Sequence, residues 1–140
     1  ALPSDGDEIQ SEYFVPLAKA GAALSAVRAI APAFDAQLLV TELRTVAADE
    51  LWLSPAFGRD VLAIHFTWRN DTAGVLAVLP AIEEALAPFD VRPHWGKAFT
   101  MPGEAVRSTL TRVSDFVDVT RAADPRGVFR NPFLARTLGL

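Results

Sequence analysis

Two strand-like segments follow one another in the middle of the chain, with no helical pattern between them. Residues 37–46 and 61–69 are rich in β-branched and apolar residues, and the second half of 61–69 alternates strictly between the two faces of a strand. Amphipathic helical patterns lie on both sides of this pair, at 17–30 and 72–86. This order restricts the fold, because adjacent strands tend to pair and the flanking helices must bury their apolar stripes on a common layer.

Further strand signatures at 8–15 and 92–99 complete the order strand, helix, strand, strand, helix, strand. This order predicts an α+β fold of the ferredoxin-like, split βαβ type, a four-stranded antiparallel sheet with helices on one face. Pro80 predicts a kink or a restart in the second helix. The longest helical pattern, at 104–123, and a C-terminal helix at 132–138 follow. At 140 residues we expect a single domain, 1–140.

Strand periodicity places a set of polar side chains on the sheet face that the helices leave open. His65 and Thr67 share one face of their strand, opposite the apolar face formed by Leu62, Ile64, Phe66 and Trp68. The same alternation over all four strands gives the candidate set Gln10, Glu42, Arg44, His65, Thr67 and Lys97. Such a mixture of cations, a carboxylate and neutral hydrogen-bonding groups suits an uncharged, polyhydroxylated ligand, since each hydroxyl both donates and accepts.

The segment 92–97, Arg-Pro-His-Trp-Gly-Lys, concentrates an ammonium, an imidazole and an indole where proline and glycine exclude a helix interior. We expect Trp95, Lys97 and Phe99 to share one strand face, where the exposed rings would favour self-association of the isolated chain. A plainer interpretation stays open for each candidate. Glu42 and Arg44 fit a solvated pair worth under about 1 kcal/mol, and His65 fits a core histidine with satisfied hydrogen bonds.

Composition excludes several classes of function. The chain has no cysteine, which excludes disulfides and thiolate chemistry, and its two histidines lack a metal-ligand spacing. A net charge of −4 disfavours a general nucleic-acid surface. We expect a soluble, cytoplasmic protein without a metal site or a transmembrane segment. Glycine-rich phosphate loops and nucleophile motifs are also absent from the sequence, so a catalytic role would need a cofactor bound elsewhere.

Five short segments occur in the order found in one flavoenzyme family. They are Glu-x-Arg-Thr at 42–45, Trp-Leu-Ser-Pro at 52–55, His-Phe-Thr-Trp at 65–68, Arg-Pro-His-Trp-Gly-Lys at 92–97 and Asp-Pro-x-Gly-x-Phe-x-Asn at 124–131. Over nearly its whole length the chain resembles the carboxy-terminal half of the aldonolactone-oxidase-type flavoproteins of the vanillyl-alcohol-oxidase superfamily, among them the alditol oxidases that act on xylitol or sorbitol.

The resemblance implies FAD as the cofactor, bound mainly by an amino-terminal domain and often covalently. It makes this chain the substrate domain, or cap domain, of a larger oxidase. That FAD domain is not among the 140 residues, and the sequence begins at Ala1 without a methionine or a leader pattern. We therefore expect a fragment that is inactive by itself, with a polyol substrate and its own FAD domain as partners.

The resemblance also implies roles for the polar residues of the open face. Gln10, Glu42 and Thr67 would bind the substrate. Arg44 and Lys97 would lie near the reacting hydroxyl and the edge of the flavin, where they favour negative charge. Lys97 or His65 would take the hydroxyl proton. The expected reaction converts a terminal alcohol of a polyol to the aldehyde and reduces oxygen to hydrogen peroxide.

Two alternatives stay open at this point. An aldonolactone oxidase or dehydrogenase of the D-arabinono-1,4-lactone type shares the His-Trp-x-Lys segment. A non-catalytic ligand-binding or interaction module of ferredoxin-like fold would show the same strand and helix patterns. The sequence does not distinguish polyol from lactone, oxygen from another electron acceptor, or covalent from non-covalent flavin, and it does not give the oligomeric state.

Overall fold

The computed structural model describes residues 6–140, so that the first five residues of the predicted domain lie outside the described part. The described elements, in chain order, are β1 (Glu8–Pro16), α1 (Ala20–Ala29), β2 (Leu38–Val46), β3 (Val61–Arg69), α2 (Thr72–Leu86), β4 (Arg92–Pro93), α3 (Gly103–Ser108), α4 (Val113–Ala123) and α5 (Pro132–Leu138). The predicted C-terminal helix at 132–138 is confirmed as α5.

The strands form one antiparallel sheet in the order β2-β3-β1-β4. β1 and β3 pair over their whole length, from Glu8 opposite Arg69 to Pro16 opposite Val61. β2 and β4 are the edge strands. This is the arrangement of a ferredoxin-like, split βαβ fold, and the prediction of that fold is confirmed.

The helices α1 and α2 cover one face of the sheet and bury the apolar side of its strands. Ile64, Phe66 and Trp68 of β3 are at most 1% exposed, and the rings of Phe66 and Trp68 stack with centroids 5.2 Å apart. The indole N–H of Trp68 donates to the hydroxyl of Ser11 at 2.9 Å, which satisfies both buried groups. The buried stripe of α2 is the predicted one: Val75, Leu79, Ile82 and Leu86.

Helix α2 begins where the carboxylate of Asp71 accepts a hydrogen bond from the backbone N–H of Gly74, at 3.0 Å. It continues through Pro80 as one helix, so the chain does not restart there. By length and composition alone the stretch Thr72–Phe89 could cross a membrane. Its apolar stripe, however, lies against the sheet, which is how a core helix of a globular domain is arranged.

Glu83 is a buried carboxylate on the sheet side of α2. It accepts hydrogen bonds from the Tyr13 hydroxyl at 2.8 Å, the Thr100 backbone N–H at 2.7 Å and the Thr100 hydroxyl at 2.5 Å. Burial, and then the negative charge of Glu83, raise the pKa of Tyr13 above its ordinary value. These bonds attach the segment that follows β4 to both the helix layer and the sheet.

The predicted strand 92–99 is shorter in the structure, where only Arg92–Pro93 pair with β1 among the described residues. The backbone N–H groups of His94 and Ala98 then donate to two carbonyls of β1 that lie two residues apart, at 2.9 Å in each case. The chain therefore advances four residues, from His94 to Ala98, while β1 advances only two, from Glu12 to Gln10. The extra residues form a tight turn that includes Gly96.

The predicted helix 104–123 is two helices, α3 and α4, separated by four residues. In a continuous helix the carbonyl of Thr109 would accept a hydrogen bond from the N–H of Val113. Instead, Nε of Arg92 donates to that carbonyl at 3.0 Å, and the N–H of Val113 donates to Leu110 at 3.4 Å. A contact with a residue far away in sequence thus interrupts the helix.

The loop between β2 and β3 covers one end of the sheet face opposite the helices. Phe14, Val61 and Ala63 of the sheet form a small apolar cluster there with Ala56 of the loop. The polar side chains predicted from strand alternation lie farther along the same face, beyond this cluster.

Candidate active site

Three titratable side chains form a straight row across the open face of the sheet. The strand register pairs Glu42 of β2 with His65 of β3, and His65 with Glu12 of β1. Paired residues of antiparallel strands project to the same face with Cβ atoms about 4.5–5.5 Å apart. The row therefore sets one imidazole between two carboxylates, and Thr67 and Gln10 pair in the next row.

Glu12 is buried and forms ion pairs with two cations. Nζ of Lys97 lies 2.6 Å from one carboxylate oxygen, and Nη1 of Arg44 lies 3.3 Å from the other. Arg44 also bonds to Glu42, at 2.7 Å. Burial acts to raise the pKa of Glu12, but the hydrogen bond and the charge of Lys97, with smaller contributions from two histidines, hold it below its ordinary value. Glu12 is therefore ionised at neutral pH and connects the two cations.

The two ring nitrogens of His65 have different roles. Nδ1 lies 2.9 Å from Nζ of Lys97, and an ammonium group can only donate, so Nδ1 is the acceptor. The proton is then assigned to Nε2, which donates to Oγ1 of Thr67 at 3.2 Å. Burial, and then the charge of Lys97, lower the pKa of His65 against the opposing charge of Glu12. His65 is thus a neutral imidazole in a directed chain from Lys97 to Thr67.

Lys97 reaches this network through the turn at 94–97, which its backbone N–H closes with a 3.1 Å bond. Trp95 and Phe99 do not accompany it. Both rings are half-buried and contact Phe133 of α5, with centroids 6.0 and 6.1 Å apart. The prediction that the three side chains share one face is wrong, because the turn breaks the alternation that a regular strand would keep.

The structure brings five of the six predicted polar residues into one hydrogen-bonded network: Glu42, Arg44, His65, Thr67 and Lys97. Gln10 lies on the same face, but its amide bonds to Glu8 at 3.4 Å, outside the network. Sequence reasoning left out Glu12, the residue that joins the two cations. The signal was present, because Glu12 lies two residues from Gln10 on the same strand and so shares its face.

A pocket of about 460 Å³ opens beside this network, between the start of β1 and the turn. Its lining includes Gln10, Gly96, Lys97 and Ala98. The volume falls within the range of small-molecule sites, roughly 300–1,000 Å³. The amide of Gln10 and the ammonium of Lys97 provide hydrogen-bonding groups for a small hydroxylated ligand.

The buried His65 and Glu12 predict two steps of acid destabilisation. Each has a lower pKa in the folded chain than in the unfolded chain, so the unfolded state binds more protons in acid and stability rises with pH. The loss from His65 begins as the pH falls below 6.5, and the loss from Glu12 as it falls below 4.5. Urea denaturation between about pH 8 and about pH 2 should show both decreases in the free energy of unfolding.

His65→Gln should remove the first of these steps and keep the second. His94→Gln is the matched control, since His94 is the other histidine of the chain, and it should leave the first step in place. A free energy of unfolding that does not change between about pH 8 and about pH 5 in the parent chain would show that His65 is not held neutral by its surroundings.

Comparison with known proteins relates the chain to sugar and polyol oxidoreductases. The sequence model of the D-arabinono-1,4-lactone oxidase family matches residues 7–137. The chain is 51% identical over 132 residues to an alditol oxidase from a Streptomyces species, covering 94% of this chain and 32% of that enzyme. It is 33% identical over 102 residues to the L-gulono-1,4-lactone dehydrogenase of Mycobacterium tuberculosis, covering 70% of this chain and 23% of that enzyme.

A third relative is the L-gulonolactone oxidase of Mus musculus, 28% identical over 98 residues, which are 68% of this chain and 22% of that enzyme. The chain thus spans about a third of the length of the alditol oxidase and less than a quarter of the length of the two lactone enzymes.

Proposed function

The chain belongs to the D-arabinono-1,4-lactone oxidase family, and from this we propose that it is the carboxy-terminal substrate domain of a larger FAD-dependent oxidase. The proposed reaction oxidises a terminal alcohol of a polyol, of the xylitol or sorbitol type, to the aldehyde and reduces oxygen to hydrogen peroxide. The 51% identity to an alditol oxidase over almost the whole chain supports a polyol as the substrate. A cytoplasmic location belongs to the same proposal.

The observation that carries the proposal is the pair of cations held on Glu12 beside a small pocket. Oxidation of an alcohol builds negative charge on the hydroxyl oxygen as its proton leaves. The ammonium of Lys97 uses two of its three N–H donors on Glu12 and His65, so the third can bind that oxygen. The guanidinium of Arg44 is about half exposed and can add a second donor. Fixed donors of this kind stabilise charge without reorganisation.

The remaining polar residues fit the binding of a polyol chain. Glu42 can accept hydrogen bonds from substrate hydroxyls. Gln10 can donate and accept through its amide, and Thr67 can do so through its hydroxyl. The four charged groups of the network, Lys97, Arg44, Glu12 and Glu42, sum to zero. A neutral, polyhydroxylated substrate therefore matches the site better than a sugar acid or a sugar phosphate.

Only the reactive edge of FAD would contact this chain. The pocket of about 460 Å³ has room for a small substrate, so the bulk of the cofactor would be bound by the amino-terminal domain. Lys97 and Arg44 would face the edge of the flavin, where cations favour negative charge. FAD, when bound, supplies the acceptor for the hydride that leaves the alcohol carbon.

The proton of the substrate hydroxyl has a route through this chain. An ammonium bonded to Glu12 and His65 has no lone pair, so Lys97 does not take the proton while it is charged. Nδ1 of His65 lies 2.9 Å from Nζ of Lys97 and is unprotonated. Lys97 can pass one proton to Nδ1 as it receives another from the hydroxyl, a role of a neutral imidazole as general base.

The test uses the full-length protein encoded by the reading frame that contains this chain. We expect an FAD domain in that frame, and hydrogen peroxide formation with xylitol or sorbitol at a kcat/KM at least about tenfold above that with gulono- or galactonolactone. The 140-residue chain by itself should form no peroxide. A frame without an FAD domain would favour a non-catalytic ferredoxin-like module and overturn the proposal.

Oxidation of an aldonolactone is the second candidate, because the M. tuberculosis relative that is 33% identical is named for a lactone. Turnover of lactones without turnover of polyols would establish it in place of the polyol reaction. Anaerobic reduction of the flavin by each substrate separates the choice of substrate from the choice of electron acceptor.

A further inference from the structure

We infer that Glu12 is a positioning residue, a buried carboxylate that fixes Lys97 and Arg44 at the site and holds His65 in one tautomer. For its effect on catalysis the inference rests on the proposed function. Its structural part, the hold on the two cations and the imidazole, stands independently of which substrate the site accepts.

The geometry separates Glu12 from the residues proposed to touch substrate. Its side chain is 7% exposed, and its two oxygens are used on different partners, Lys97 at 2.6 Å and Arg44 at 3.3 Å. Burial and these two cations leave little room for a ligand at either oxygen. Glu42, by contrast, is 28% exposed and bonds to Arg44 alone in the described network. Glu12 therefore acts through its neighbours and not on the substrate.

The two cations need this anion to lie close together. Lys97 and Arg44 are long side chains that lose rotamer entropy when fixed, and their like charges repel. The second partner of Lys97 is a neutral imidazole, and the second partner of Arg44 is more exposed to solvent. Between them, the carboxylate of Glu12 offsets the repulsion and sets the separation. A displacement of about 1 Å in such a site can cost 10²-fold in rate.

The fixed ammonium also fixes His65. Because Lys97 is held against Glu12 by one N–H, a second N–H is directed at Nδ1, and the imidazole proton stays on Nε2 toward Thr67. The charged groups that face this imidazole are Glu12 on β1, Glu42 and Arg44 on β2, and Lys97 on the turn. Glu12 is the buried anion of this set, so its removal leaves His65 beside two cations and the more exposed carboxylate of Glu42.

The test replaces Glu12 by glutamine in the full-length protein, which keeps the shape and removes the charge. With the polyol that is turned over, kcat should fall about 10–100-fold while KM changes less than about threefold, as expected for lost alignment. The titration of His65, followed by NMR of ring-labelled histidine and assigned with His65→Gln, should move to lower pH. Glu84→Gln, an exposed change on α2, should leave both measurements unchanged.

A second variant keeps the test decisive if the glutamine variant does not fold. Glu12→Asp retains the charge but has a shorter side chain, so it should lower kcat while the titration of His65 stays near that of the parent. Wild-type kcat in either variant, or a His65 titration that does not move in Glu12→Gln, would overturn the inference. If the parent oxidises neither polyols nor lactones, the proposed function fails, and the His65 titration alone decides the role of Glu12.

Discussion

Replacement of Lys97 by methionine in the full-length protein should lower kcat for the preferred polyol by about 10²–10³-fold, the effect of losing one oxyanion donor. Methionine has a similar length and no N–H, so the reacting oxygen loses the donor next to it. The change also removes the ammonium through which His65 would receive the proton. The rate of anaerobic flavin reduction measures the chemical step directly, and peroxide formation measures complete turnover.

The control for this variant addresses the charge that it leaves behind. Lys97→Met deprives the buried Glu12 of the partner at 2.6 Å, and an unpaired buried carboxylate is itself destabilising. The double variant Glu12→Gln with Lys97→Met removes that charge as well. It should regain stability but not activity if the ammonium is a catalytic donor. A kcat for Lys97→Met within about threefold of the parent would exclude that role.

A matched variant of the same residue distinguishes the loss of a hydrogen-bond donor from the loss of a positive charge. Lys97→Arg keeps a positive charge but places its donors in a planar fork, which does not reproduce the contacts to Glu12 and His65. It should therefore recover only part of the lost rate. Full recovery would mean that positive charge at this position is sufficient and that the hydrogen bonds of Lys97 are not required.

The parts of this fold that sequence predicts are those that follow from local periodicity. The alternation of β3 and the apolar stripe of α2 show which faces are buried. The order of strands and helices along the chain then predicts the four-stranded antiparallel sheet. The predicted open face is real for the same reason, since strand alternation needs only that a strand is regular. His65 and Thr67 follow that rule because β3 is regular over all nine residues.

The parts that sequence does not predict depend on contacts between distant residues. The helix break after Ser108 arises because Arg92 takes the carbonyl of Thr109, and no pattern within 104–123 contains that event. In the same way the turn after β4 carries Lys97 to Glu12 by inserting extra residues against β1. Glu12 is a different case, because strand alternation alone places it on the open face beside Gln10. Alternation does not show that Glu12 is buried and joins two cations, since those cations come from β2 and from the turn.

Arg92 should contribute more to stability than the other arginines, so that Arg92→Met lowers the free energy of unfolding by about 3–5 kcal/mol, given roughly 1.5–3 kcal/mol for each good hydrogen bond to a charged group. Its side chain is buried, with Nε bonded to Thr109 at 3.0 Å and Nη1 to Pro55 at 3.0 Å. Burial, and then the charge of Arg59, lower the pKa of Arg92 to about 10, so the guanidinium is still charged at neutral pH.

The loss should be concentrated in the loop that Arg92 holds. Nη1 also lies 3.3 Å from the carbonyls of Ser54 and Phe57, so methionine leaves several carbonyls of one loop without their donor. Urea denaturation should show a lower midpoint, and hydrogen exchange should show faster exchange at 54–58 than in β1 or β3. A uniform increase in exchange over the whole sheet would mean that Arg92 supports the core and not the loop.

Arg59→Met is the matched control, because Arg59 lies beside Arg92 and differs in what it binds. Its Nη2 donates to the carbonyl of Asp90 at 2.7 Å, while its Nε is buried without a hydrogen-bond partner in the described part of the chain. Its removal also relieves the repulsion between the partly buried Arg59 and the buried guanidinium of Arg92. We therefore expect a loss of about 1 kcal/mol or less for this variant. Equal losses for the two variants would show that burial of the arginine stem, common to both, outweighs the bonds that Arg92 makes to the loop.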